Sequence, residues 1–413
     1  MSVRGVLLGA FVAGLGLSIT LAETALALLT LLLLWRLRDP AVRAAARWPL
    51  ALPVAAWSGL TLLSALLSGH PAASLEAAKG LLLVAALYVT ADAVRDPRAA
   101  GRFLLGLALA ATVAAVMGLL QVGLCPPSDA PLETPRWLYH RCTRARGFFS
   151  IYMTLAGVLS LVLLATLPRL LLGGVELRRL AVPWPVMLGG LGATYTRGAW
   201  IGLGAGVLVL VATVRRGRWL LVAGLIVLAG GAAVAPYELR HRVLSMADPE
   251  DASVRERLYM WRSGLLMWRE RPVLGIGPGG VKREYPRYAL PEAVKQRTGH
   301  VHSTPLQILV ERGVLGLAAW LLIWAAFLTR CVGLLRRLPA EAQPERALVA
   351  GCLASMVSFL VAGLSEYNWG DSEVVMVAWA LMALPWAVDG RLSADWGSAG
   401  AMSGPPQLKS LKK

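Results

Sequence analysis

Apolar residues occupy this chain in long blocks, with polar residues gathered in the gaps between them. A helix rises about 1.5 Å per residue, so a block of roughly 20 apolar residues crosses a hydrocarbon core of about 30 Å. The pattern predicts twelve membrane-crossing helices, over residues 5–20, 22–36, 48–67, 75–92, 102–122, 148–167, 181–196, 199–214, 218–235, 305–328, 346–365 and 373–388. Alternation at period two, the mark of a membrane β-barrel, is missing from these blocks. The expected fold is an all-α integral membrane protein. Helices 1–9 fall within residues 1–236, a large loop with amphipathic helices over 237–304, helices 10–12 within 305–390, and a tail over 391–413.

Composition agrees with that class. The 413 residues are 57% hydrophobic with a mean hydropathy of +0.61, and 16% are charged, against about 25% in soluble domains. A net charge of +17 would suit a nucleic-acid binder if it formed one face, but Lys and Arg sit in short clusters between apolar blocks. Most of this charge is topological, and no nucleic-acid partner is expected. Counted from a cytoplasmic N-terminus, the basic connections 36–47, 95–102, 168–179, 215–218 and 330–346 and the Lys-rich tail fall inside, as the positive-inside rule requires. The first apolar block runs directly into a second, so no cleavable signal peptide is expected.

The same count puts two long connections outside, 123–147 and 237–304, both rich in arginine. Long loops are exported despite their charge, but the excess of guanidinium, whose planar fork matches phosphate oxygens, needs a reason. Arg144 and Arg146 immediately precede a span on this side, and Arg197 sits in TYTRGAW at the outer edge of another. There a buried cation costs several kcal/mol unless it meets an anion. A snorkelling topology anchor or a lipid-headgroup contact is the structural alternative for each.

In the large loop, VRERLYMWRSGLLMWRERP puts Leu258, Trp261, Leu265 and Trp268 on one helical stripe flanked by arginines, suited to the membrane interface or to packing on the bundle. The GIGPGG that follows lacks the Lys-Ser/Thr of a nucleotide phosphate loop and reads as a turn between two short helices. Cys125 and Cys142 share an exported connection, where a disulfide is permitted; Cys331 and Cys352 do not.

His300 and His302 stand at the outer mouth of the tenth span. An imidazole is the natural base near neutral pH for drawing a proton from a hydroxyl. A metal pair and a helix cap are the alternatives, but the nearest acidic cluster, Asp248, Glu250 and Asp251, reads as the N-terminal cap of the helix that follows it. Glu366, Asp371 and Glu373 form a second candidate source of a base. Arginine sites and a histidine pair on one side of a bundle point to a phosphate-bearing lipid substrate that reacts at a hydroxyl. A pyrophosphate leaves once its charge is neutralised, so arginines can stand where many glycosyl transfers use a divalent metal. The chain has no Asp-x-Asp pair, and neither a metal nor a cofactor is expected.

Four stretches, RARGFFSIYMTLAG (144–157), TYTRGAWIGL (194–203), RLYMW (257–261) with RERPVLGIGPGG (269–280), and HVHSTPLQILVERGVLGL (300–317), follow one another as in the O-antigen ligase and polymerase superfamily of bacterial envelopes. The chain resembles that superfamily from about residue 142 to 317. The resemblance implies an inverting, metal-independent glycosyltransferase of the GT-C type in the bacterial inner membrane, with both termini cytoplasmic and its site on the periplasmic side. For a ligase it implies transfer of O-antigen from undecaprenyl pyrophosphate to a sugar hydroxyl of the lipid A-core acceptor, in lipopolysaccharide biosynthesis. Arg197 matches the arginine of a family motif, Arg257 a second family arginine, and His302 the family histidine. On this basis His302 is assigned as base, with His300 as the alternative, and Arg144, Arg146, Arg197 and Arg257 as clamps on the pyrophosphate. The family often has Asn after the histidine and Ser before the arginine, where this chain has Ser303 and Thr196, so the choice between His300 and His302 stays open.

Other functions in view are an O-antigen polymerase, a protein O-oligosaccharyltransferase and, in a different class, a transporter of lipid-linked glycans. The protein-modifying enzymes usually carry extra soluble sequence after the last span, and a transporter would need charges at span centres, where the predicted spans have none.

Overall fold

The structure, a computed structural model, describes residues 2–124, 143–214 and 251–389, and every regular element among them is a helix. In chain order these are α1 (Val3–Leu17), α2 (Ile19–Arg36), α3 (Pro40–Ala44), α4 (Ala51–Leu66), α5 (Pro71–Ala77), α6 (Ala85–Ala93), α7 (Pro97–Gly123), α8 (Tyr152–Leu170), α9 (Gly174–Leu180), α10 (Pro183–Ala193), α11 (Arg197–Thr213), α12 (Ala252–Glu270), α13 (Gly280–Glu284), α14 (Thr304–Arg337), α15 (Gln343–Gly363) and α16 (Ser372–Ala383). A tighter 3-10 stretch, Ala78–Val84, joins α5 to α6. Among the described residues, six helices are long and apolar enough to cross a membrane: Ile19–Arg36, Pro71–Ala93, Pro97–Gly123, Tyr152–Leu170, Thr304–Arg337 and Gln343–Gly363. The helical membrane protein expected from the sequence is found at that level. Val3–Leu17, Ala51–Leu66, Arg197–Thr213 and Ser372–Val388 are apolar but shorter. The block 218–235, Cys125, Cys142, Asp248, Glu250 and the tail lie outside the described residues.

Local chemistry sets the helix ends. Ser18 closes α1 and opens α2, its hydroxyl accepting from Leu21 N at 3.4 Å, so two apolar helices join without a loop. Asp96 caps α7 by accepting from Ala99 N at 2.8 Å, with Pro97 at the first helical position.

At the centre, α15 packs between α8 and α11. Gly198, Gly202 and Gly206 recur every fourth residue along α11. A Cβ at Gly202 would lie 2.7 Å from Ser358 O, and one at Gly206 would lie 2.9 Å from Ala354 O. Small residues at this spacing let helix backbones approach closely, the usual way to bind helices together where lipid competes for apolar surface. Because Gly198 starts the stripe, the close approach also sets the first turn of α11, with Arg197, beside Ser365 and Glu366.

Charges collect at the two ends of the bundle. At one, Asp92 takes Arg36 at 2.5 Å, Arg95 at 2.7 Å and Arg4 at 3.3 Å, while Arg47 donates to Trp386 O at 2.9 Å. Of these, Arg36, Arg47 and Arg95 belong to connections predicted to share one side. The opposite end gathers the segment 251–303, the start of α11 and the connection between α15 and α16. The segment shares a small core with α14, formed by Met260, Met267, Val281, Tyr285, Val301 and Val310. The buried stripe of α12 is Met260, Ser263, Gly264 and Met267; of the stripe singled out in the sequence, Leu258 and Leu265 are exposed, and Trp261 and Trp268 are half-buried against the small core. The apolar residues of α12 wrap more than half its circumference, and the smaller ones fit against Val301 and Leu306.

The stretch 305–328 forms a longer helix than predicted, and it is broken. At Gly313 the backbone turns to φ 65°, ψ −172°, a region essentially closed to residues with a Cβ. Backbone groups freed by the break find partners in the segment after α12: Ile276 N donates to Val310 O at 3.0 Å, Gly277 N to Glu311 O at 2.9 Å, and Val314 N to Pro272 O at 2.8 Å. GIGPGG thus joins α12 to α13 and also completes the hydrogen bonding of α14. Beside the break, Glu311 and Arg312 are 2% and 8% exposed and pair at 3.0 Å, inside a block whose pattern predicts no buried charge.

Gly313→Ala places a side chain in a disallowed backbone region and against Val273 O, at a cost of about 1–3 kcal/mol before the clash. Thermal unfolding in detergent, followed by intrinsic fluorescence, is expected to show a lower Tm for Gly313→Ala and none of that loss for Gly333→Ala, in the same helix with open space around it. Equal Tm values would mean that the break is not a structural requirement.

Candidate functional site

The site is built on the four residues before α14. Ser303 leads into the helix, and Thr304, its first residue, donates its N–H to Glu366 O at 3.1 Å; its hydroxyl is 3.0 Å from the same oxygen and 2.8 Å from Asn368 Oδ1. This clamp fixes the backbone of the α15–α16 connection against the histidine loop. His302, in the left-handed region at φ 50°, consequently meets the Glu366 side chain, Nδ1 lying 3.4 Å from Oε2. The other carboxylate oxygen accepts from Arg257 Nη2 at 2.6 Å. A carboxylate at Nδ1 favours the tautomer with the proton on that nitrogen, which leaves Nε2 as the acceptor of a substrate proton.

His300 is placed differently. Its ring packs edge-on against His302, centroids 4.2 Å apart, and 5.7 Å from Tyr367, and its buried Nδ1 has no hydrogen-bond partner among the described residues. Burial, and then the charge of His302, pull its pKa down to about 4, so it is neutral at physiological pH and a much weaker base.

Arg197 lies two residues after Tyr195, another residue with positive φ (51°), and its Nη2 donates to Asp251 Oδ2 at 3.1 Å. Burial raises the Asp251 pKa, but the hydrogen bond and charge of Arg197, with the amides of Ser253 and Val254, outweigh it and hold the carboxyl below its usual range. Asp251 therefore caps α12, as expected, and also locks α12 to α11. Arg144 lies over the Tyr152 ring at 4.3 Å. Arg146 has a buried Nε without a hydrogen-bond partner among the described residues, and its charge reaches Tyr152, as do those of Arg257 and Glu366. All six predicted residues are thus at one end of the bundle, but Arg197 and Arg257 each hold a carboxylate that the motifs do not assign to them.

A cavity of about 240 Å³ opens beside this group. Its walls are mostly apolar, with Met153, Leu161, Phe359 and Val374 among them, and its polar lining includes His300, Glu366, Thr196 and Asp371. His302 stands behind His300 and Glu366. The loop is braced from below: Gln307 Oε1 accepts from Val301 N at 2.9 Å, between the two histidines, and Gln307 Nε2 donates to Glu311 at 2.9 Å. Sequence reasoning misses Gln307 and Glu311, because at helical spacing they look like polar points in a span. No three His, Cys, Asp or Glu residues group as metal ligands among the described residues.

The family model described as O-antigen ligase matches residues 186–321, a span that includes Arg197, Arg257, His300 and His302 and supports membership of the O-antigen ligase superfamily. Comparison with the curated proteins yields no match.

Between about pH 6.5 and 4 an unfolded chain protonates His300 while the folded chain does not, so this residue lowers stability as pH falls through that window. The expected result is a fall in Tm between pH 6.5 and 4.5 that is steeper for wild type than for His300→Phe, measured in detergent. Parallel curves would show that His300 is not held neutral by burial.

Proposed function

Because the chain carries the O-antigen ligase match across its candidate site, we propose that it is an inverting O-antigen ligase, moving O-antigen polysaccharide from undecaprenyl pyrophosphate to a sugar hydroxyl of lipid A-core. The observation that carries this reading is the His302–Glu366–Arg257 arrangement beside a largely apolar cavity. His302 Nε2 takes the proton of the acceptor hydroxyl, and the oxygen attacks the anomeric carbon. The bond from that carbon to the pyrophosphate breaks on the opposite face, its electron pair going to phosphate oxygen. The lowered basicity of His300 favours His302 in this role. Glu366 fixes the His302 ring and balances the imidazolium that forms. The developing charge on the leaving group falls to arginine: Arg146, whose Nε has no partner among the described residues, with Arg144, Arg197 and Arg257, two of which can exchange a carboxylate for phosphate. The site then faces the periplasm of a bacterial inner membrane in a bundle of twelve spans, with both termini cytoplasmic.

Purified protein with undecaprenyl pyrophosphate-linked glycan and lipid A-core, in EDTA, is expected to produce glycosylated lipid A-core. His302→Ala should lower the rate by about 10²–10⁴-fold, and Arg197→Ala by about 10²–10³-fold. Lengthening of the lipid-linked chains with lipid A-core unmodified would make the protein a polymerase, and a requirement for divalent metal would overturn the role given to the arginines.

A further inference from the structure

A second cavity, of about 280 Å³, adjoins the first and has a different chemistry. Trp57, Trp369 and Trp379 form its aromatic wall, Glu311 and Arg312 line its buried side, and the exposed Lys79 stands at its rim. Two interruptions of helical geometry border it: the 3-10 stretch Ala78–Val84, which carries Lys79, and the break at Gly313 next to Arg312. Arg312 lies over Trp57 at 4.9 Å and gives Nη1 to Glu311, but its buried Nε has no hydrogen-bond partner among the described residues. Two cations against one carboxylate leave the lining with one net positive charge.

Aromatic faces beside charged and amide groups, in a volume just below the roughly 300–1,000 Å³ of drug-sized sites, suit a single pyranose ring bearing a phosphate or carboxylate. The two cavities share a partition. Tyr367 and Gly370 line both, while the histidine loop contributes His300 to the first and Gly299 to the second. The first cavity, mostly apolar, suits the lipid-linked donor, and the polar aromatic one suits a saccharide that must present its hydroxyl at the partition. We infer that the second cavity binds a negatively charged sugar ring of the acceptor, with Arg312 and Lys79 as its anion contacts and Trp57 as part of its aromatic wall. This rests on the transferase reading above.

Gly80 lines this cavity, is exposed and has open space around it, so Gly80→Cys reports on the cavity without filling it. With Cys125 and Cys142 changed to Ser and with Cys331 and Cys352 both buried, maleimide labelling of full-length protein in detergent reads the new thiol. Lipid A-core at about ten times its half-protecting concentration is expected to slow labelling about tenfold, while undecaprenyl pyrophosphate-linked glycan leaves the rate unchanged. Lys79→Ala in this background should raise the half-protecting concentration about two- to fivefold. Protection by the donor instead, or by neither compound, overturns the assignment. The two readings fail separately: protection by lipid A-core without transfer by wild type would sink the proposed reaction and leave this site standing.

Discussion

Breaking a helix inside a membrane frees backbone groups that have no water to turn to, and each costs several kcal/mol unless the protein supplies a partner. At Gly313 the partners are the carbonyl of Pro272 and the amides of Ile276 and Gly277, so residues 272–277 cannot move away without exposing them. The constraint propagates. Holding 272–277 against α14 leaves room for the buried Glu311–Arg312 pair, which anchors Gln307, which in turn holds the backbone between His300 and His302. Ser64 adds a second tie, its hydroxyl within 2.7 Å of Leu274 O and 2.9 Å of Glu311 O. The histidine loop is therefore positioned from the bundle interior, and the geometry at Nδ1 of His302 depends on a helix break about three turns away.

Desolvation governs the charges at the site. A buried guanidinium is stable only with an anion close by, and here Glu366 and Asp251 serve as internal counter-ions to Arg257 and Arg197. Both carboxylates also act on a second neighbour, Glu366 by orienting His302 and Asp251 by capping α12. Any anion that displaced these carboxylates would therefore act on the ring orientation of His302 and on the docking of α12 to α11. The two histidines differ for the same reason. One has a carboxylate partner, whereas the other is buried among rings, its Nδ1 without a partner among the described residues.

The Gly198–Gly202–Gly206 stripe connects this electrostatics to packing. Close approach of α11 and α15 brings Arg197 and Glu366 to the same level, so the arginine that pairs with Asp251 and the carboxylate that pairs with Arg257 belong to one surface. On the far side of Tyr367, Trp369 touches Trp57, Trp320, Trp324, Phe359 and Trp379, with centroids 5.4–6.1 Å apart. This aromatic block gives the α15–α16 connection a rigid seat despite its length of eight residues, 364–371.

Amino-acid order alone dictates the local features of this protein. Block length and hydropathy specify helices, Ser18 and Asp96 specify where they begin, and Arg197, Arg257 and His302 sit in motifs short enough to read directly. The pairings come from packing. His302 meets a glutamate 64 positions away, Arg257 meets the same glutamate across 109, and Arg197 finds Asp251 across 54. No periodicity encodes such separations. The buried stripe of α12 is illegible in the sequence because apolar residues cover too much of that helix for periodicity to pick the face, and the shapes of Val301 and Leu306 opposite make the choice. Glu311 and Arg312 escape notice because a charge near the start of a span looks like a boundary marker until the backbone is seen to break beside it. Helices follow from hydrogen bonds four residues apart; a site follows from which helix ends meet, and that is settled by packing and by the need to leave no buried charge or backbone group without a partner.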